Sequence, residues 1–151
     1  MPDFDTITTA LVARFAPAAI TPPATYANVR AGAATADLPN HMLPLPAVLV
    51  FLEGGEFQTG NGTRTGTHRY KVRFYYSQNV DLKRDLVALR KWLTVLVDQT
   101  KAAVQLGGTQ YVARATVDSW LIGSLDYAQD QFAGIELSVT VVTSEPWAAT
   151  A

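Results

Sequence analysis

The chain has 151 residues, 48% apolar and 17% charged, and no cysteine. That length fits one domain with a real core and is too short for two ordinary ones. The missing cysteine excludes disulfides, thiolate catalysis and cysteine-held metals, while charge is unevenly spread: net −3 over residues 1–63, +6 over 64–101 and −4 over 102–151.

The first residues, Met1-Pro2-Asp3-Phe4-Asp5, lack the basic and apolar regions of a signal peptide. The longest apolar run, Pro44 to Leu52, is far short of a membrane span. The expectation is a soluble chain made in the cytoplasm, with no membrane partner.

A helix is predicted over residues 5–15, where Ile7, Leu11, Val12 and Phe15 share one face. Asp3 or Asp5 can cap it, and Pro17 stops it. Residues 16–46 carry six prolines and an Ala-rich stretch, with no sustained period. So long a segment without structure is unusual in a compact domain. It reads as a floppy connection or as an extended arm that orders against a neighbour through Tyr26, Val29, Leu43 and Leu45.

A hairpin is predicted over residues 47–76. Ala47 to Leu52 is its first strand, by β-branched and aromatic content. Residues 54–67 read as a long, flexible tip. Within it Asn61-Gly62 suits a type I′ turn, whose central positions need positive φ. From His68 to Tyr76, Tyr70, Val72, Phe74 and Tyr76 alternate with Arg69, Lys71, Arg73 and Tyr75. One face is therefore apolar and the other basic.

The helix over 81–104 carries Leu82, Leu86, Leu89, Leu93 and Leu96 at helical spacing. Asn79 or Asp81 caps it and Gly107-Gly108 ends it. A second hairpin occupies 111–144, its first strand bent near Gly123. In its second strand Ile135, Leu137, Val139 and Val141 face one way, and Glu136, Ser138, Thr140 and Val142 the other. A loose tail follows Trp147. The order α-β-β-α-β-β predicts an α+β fold: a four-stranded antiparallel sheet with two helices on one face.

No catalytic apparatus is evident. His41 and His68 are isolated and read as surface residues. Gly54 to Gly60 lacks the Gly-Lys-Ser/Thr that lets a P-loop hold phosphate and magnesium. There is no GxSxG elbow. Asp126 with Asp130, and Glu53 with Glu56, read as solvated loops. Neither a metal nor a cofactor is expected, and the chain does not read as an enzyme. The basic row Arg69, Lys71 and Arg73 has three readings: a solvated face, pairing with acids across a subunit interface, or contact with DNA phosphates.

The layout resembles the tail terminator (tail completion, or minor tail) proteins of long-tailed bacteriophages. The likeness lies in the short first helix, the arm, the hairpin with its long tip, the single long helix and the closing strand Phe132-Ala133-Gly134-Ile135-Glu136-Leu137-Ser138-Val139-Thr140-Val141-Val142. It implies a virion protein forming a hexameric ring on the last tail-tube ring, between tube protein and head connector, with DNA passing through the lumen. It also implies that the arm lies on a neighbour or partner. Arg64, Arg69, Lys71, Arg73, Phe57, Asn61 and Trp147 would then belong to the tube interface, subunit interface or lumen. The rival expectations are another neck or tail-tube subunit, and a small nucleic-acid-binding or ligand-binding module.

Overall fold

In the computed structural model, residues 1–30, 34–36, 38–78, 81–101, 105–106 and 108–147 are described. The expected Asn79 cap, the helix end at 102–104, Gly107 and the tail at 148–151 lie outside them. Helix α1 spans Phe4–Ala13 and is capped by Asp3, whose carboxylate accepts from the amides of Asp5 and Thr6. Strands β1 (Ala34–Thr35), β2 (Ala47–Gly60) and β3 (Thr63–Gln78) follow, then helix α2 (Leu82–Lys101) and strands β4 (Val112–Tyr127) and β5 (Asp130–Pro146).

The fold is α+β, as the element pattern predicts. The four long strands form an antiparallel sheet in the order β2-β3-β5-β4, so the two hairpins join through their second strands. A fifth strand extends it. The two residues of β1 pair in parallel with Val48 and Leu49 of β2. The described residues of the arm thus include a strand and make apolar contacts within this chain. Val29 is buried in this chain's own core, and Tyr26, Met42, Leu43 and Leu45 pack against it.

The alternation in β3 and β5 decides which face is buried. Tyr70, Val72 and Phe74 pair with Val139, Leu137 and Ile135 and turn the same way. Both helices cover that face: Ile7 and Leu11 from α1, Leu89, Trp92 and Leu96 from α2. The Trp92 and Phe74 rings lie 4.7 Å apart. At one end of the opposite face, a smaller cluster of Leu49, Tyr75, Leu125 and Phe132 is covered by Met42, Leu43 and Leu45 of the arm.

Helix α2 is rotated from its predicted leucine stripe. Ala88, Leu89, Trp92 and Leu96 are buried, whereas Leu82 and Leu86 are exposed. The cause is Trp92: burying its large ring against Phe74 turns the helix towards residues 85, 89, 92, 96 and 100. Asp85 fixes the start of the helix. It is buried, accepts from Ser77 Oγ at 2.6 Å and from Arg84 Nε at 2.9 Å. Asp81 caps the helix by accepting from the Arg84 amide.

The expected long flexible tip is instead ladder. Pairing runs from Gly54↔Arg69 to Gly60↔Thr63, and only Asn61 and Gly62 form the turn. Their φ values of 44° and 78° fit the type I′ assignment. The tip is not loose because β5 is long enough to pair with β3 as far as Thr63↔Pro146. In β4 the irregularities fall at Val112/Arg114 and Val117/Ser119, and Gly123 pairs regularly with Gly134.

Two tryptophans should separate sharply under denaturant. Trp92→Ala should cost about 3–5 kcal/mol, because it empties a fully buried site. Trp120→Ala should cost less than about 1 kcal/mol in the isolated chain, because that ring is largely exposed. Equal losses in urea titrations would contradict this division.

Candidate functional site

Three of the residues singled out in the sequence meet at the tip. Arg64, on β3, is held between the rings of Phe57 and Trp147, with its guanidinium carbon 4.3 and 4.2 Å from the two centroids. Its Nε donates to Glu145 Oε1 at 2.7 Å. The Met1 amine sits 2.7 Å from Glu145 Oε2. The Trp147 amide donates to the Gly62 carbonyl at 2.8 Å, closing the end of the sheet behind the turn. Glu145 is only 4% exposed, and a buried carboxylate is tolerated only when paired. The Met1 amine first, and Arg64 after it, hold its carboxyl below its ordinary 4.5. Asn61 stands at the turn itself, exposed.

His68 does not lie on the surface as the sequence suggests. It is 2% exposed, with Nε2 3.0 Å from Thr143 Oγ1 and Phe4 and Phe57 edge-on at 4.8 and 5.2 Å. The space comes from glycine. A Cβ on Gly66 would stand 2.3 Å from the imidazole. Burial pushes the His68 pKa down from 6.5, so the ring favours the neutral form. His41 is exposed, as expected.

The basic row lies on the face without helices, and most of its charge is matched within the chain. Arg73 Nε donates to Glu136 Oε2 at 2.7 Å, from the adjacent strand β5. Lys71 Nζ donates to Ser138 Oγ at 2.8 Å and lies 3.4 Å from Glu136 and 3.7 Å from Glu53. Glu53, read from the sequence as a solvated loop residue, sits at a bulge of β2 and joins this network. Arg69 is exposed and, among the described residues, forms no ion pair. Glu136 and Glu145 are the partners that the sequence reading missed. Their signal was present in the alternation of β5, but using it requires knowing that β5 lies beside β3.

The β4 side carries exposed apolar side chains and a groove. Strand β4 is an outer strand of the sheet. Near its middle, Trp120 is 57% exposed on the helix-covered face and Leu121 55% exposed on the other. Between β4 and α2 runs a groove of about 470 Å³ lined by Leu93, Val97, Asp98, Val117 and Trp120. A smaller hollow of about 260 Å³ beside it reaches Ala115 and Lys101. The other outer edge is similar. β1 covers only Val48 and Leu49 of β2, and Leu52 and Phe57 beyond them are exposed. Asp126 and Asp130 lie exposed at the β4–β5 turn, consistent with solvation. Among the described residues there is no group of three His, Asp or Glu side chains placed to hold a metal.

No family model matches the chain, and no curated protein sequence matches it. Among the described residues, no helix is long and apolar enough to cross a membrane.

The tip cluster predicts an acid response. The depressed Glu145 pKa contributes stability that is present above its unfolded value and is lost as pH falls through the folded value. Glu145→Gln should therefore be less stable at pH 7 and show a flatter decline below pH 4.5 than the unaltered chain. Thermal melts across that range check this; parallel curves would contradict it.

Proposed function

We propose that this chain is a non-catalytic structural subunit of a bacteriophage virion: a tail terminator that forms a ring, hexameric by resemblance, on the end of the tail tube and meets the head connector. One observation carries the reading. Among the described residues no strand pairs with the outer side of β4, and only the two residues of β1 pair with the outer side of β2, while large apolar side chains stand exposed on both, Trp120 and Leu121 on β4 and Leu52 on β2.

Such edges are an aggregation hazard in a monomer that works alone. A head-to-tail ring removes them, because each copy covers the next one's edge and closure leaves none over. The element order and the closing strand of β5, which carry the resemblance, agree with this use. The site is the virion neck, assembled in the host cytoplasm. Another neck or tail-tube subunit would use the same edges. A nucleic-acid module is the weaker reading, because Lys71 and Arg73 already share Glu53 and Glu136 and only Arg69 of the row is free of ion pairs among the described residues.

The test is incubation of the purified chain with tail-tube protein, followed by electron microscopy. Tubes capped at one end and arrested in length are the expected outcome. Unlimited polymerisation of the chain by itself would favour a tube subunit. Absence of binding to tubes and connectors, together with DNA binding that falls steeply with salt and is lost on Arg69→Ala, would overturn the reading in favour of a nucleic-acid module.

A further inference from the structure

We propose that a second copy of this chain adds to the free edge of β4 through the free edge of its own β2, with Arg114 of one copy opposite Glu56 of the next. The inference rests on the head-to-tail part of the reading above and specifies the contact that would close the ring.

Strand direction permits it. The four long strands run alternately up and down, so β2 and β4 run opposite ways at the two edges. A copy added by rotation, without inversion, places its β2 antiparallel to β4. The sheet then continues with the same pairing type that it has within the chain.

Face and charge select the register. Side chains of paired strands must agree in face, so allowed registers differ by two residues. Arg114 pairs with Val142, and Glu56 with Thr67; these positions share the face without helices. Arg114 and Glu56 are both exposed, and neither forms an ion pair among the described residues. Setting them opposite one another places Ala115 against Gly55, Thr116 against Gly54 and Ser119 against Phe51. The bulge of β4 at Asp118 then meets the bulge of β2 at Glu53, so one irregularity accommodates the other. Registers shifted by two residues set Arg114 against Gln58 or Gly54 and separate the bulges.

Burial agrees. In this register Leu52 of the second copy, 41% exposed in the single chain, stands beside Val117 on the helix-covered face. That is the mouth of the groove lined by Leu93, Val97 and Trp120. The ladder ends at Phe51, two residues before Leu49, which is already paired with β1. The arm thus caps the contact and limits its length.

The absence of natural cysteine makes the test clean. A chain carrying Thr116→Cys and Gly54→Cys should form a ladder of covalent oligomers with an oxidant or a short bis-maleimide, and each single variant should not pass a dimer. Arg114→Glu and Glu56→Arg should each weaken self-association about tenfold or more, because each sets like charges opposite one another. The double reversal should restore it. Circular dichroism and melting of each variant show that the chain still folds. A chain that stays monomeric and unlinked at its highest soluble concentration and on tail tubes overturns the inference, as does association indifferent to both reversals. Rings on tubes without the cross-link would sink this contact and leave the terminator reading intact. Cross-linked ladders that never cap a tube would do the reverse.

Discussion

Everything in this molecule hangs on the ladder between β3 and β5. It joins two hairpins that are separated by a helix of 20 residues, and it runs from Thr63↔Pro146 to Gln78↔Phe132. Because it lies at the centre of the sheet, its inner face carries a continuous patch of buried apolar side chains, Tyr70, Val72, Phe74, Ile135, Leu137 and Val139. Those residues give α1 and α2 a surface to cover. Its outer face sets Lys71 and Arg73 beside Glu136, which turns a row of like charges into a network. Its far end holds the tip straight by bringing Glu145 to Arg64 and Trp147 to Gly62.

The same ladder explains what could be read from the sequence. Local signals were sufficient where one element decides its own form. Asn61-Gly62 marks a turn because its backbone needs positive φ, and residues 135–142 alternate because one side faces a core. The α+β class followed from the order of such elements. What required contact between distant segments was not legible. Glu136 and Glu145 have no meaning as partners until β5 lies beside β3. His68 looks like a surface residue until the glycines at 55 and 66 make room for its ring. In α2, leucine count pointed to Leu82 and Leu86, but one large ring, Trp92, outweighed them. The arm carries no periodicity because its apolar residues are fitted to irregular gaps at the sheet ends, and no element of its own repeats.

For the candidate site the division is similar. Phe57, Arg64 and Trp147 were singled out and do come together, but as a brace for the tip in which Arg64 is already engaged. The residues with unmet requirements are others, at the sheet edges: Trp120, Leu121, Leu52, Arg114 and Glu56. An exposed edge is a property of strand order, and strand order is not written in any one segment. In the proposed function the weight therefore moves from the basic row, whose charges are mostly matched within the chain, to two strand edges that are largely without strand partners among the described residues. Under the proposed contact, a subunit that completes its sheet with a copy of itself accounts for both facts.

Hydrogen–deuterium exchange, resolved along the chain and compared between the protein alone and the protein incubated with tail-tube protein, the partner the proposal names, tests this account most directly. The account predicts that β3 and β5 are protected in both states. It predicts that residues 114–119 of β4 and 51–56 of β2 exchange quickly in the free chain and become protected on assembly. Edge strands that exchange equally fast in both states would contradict it.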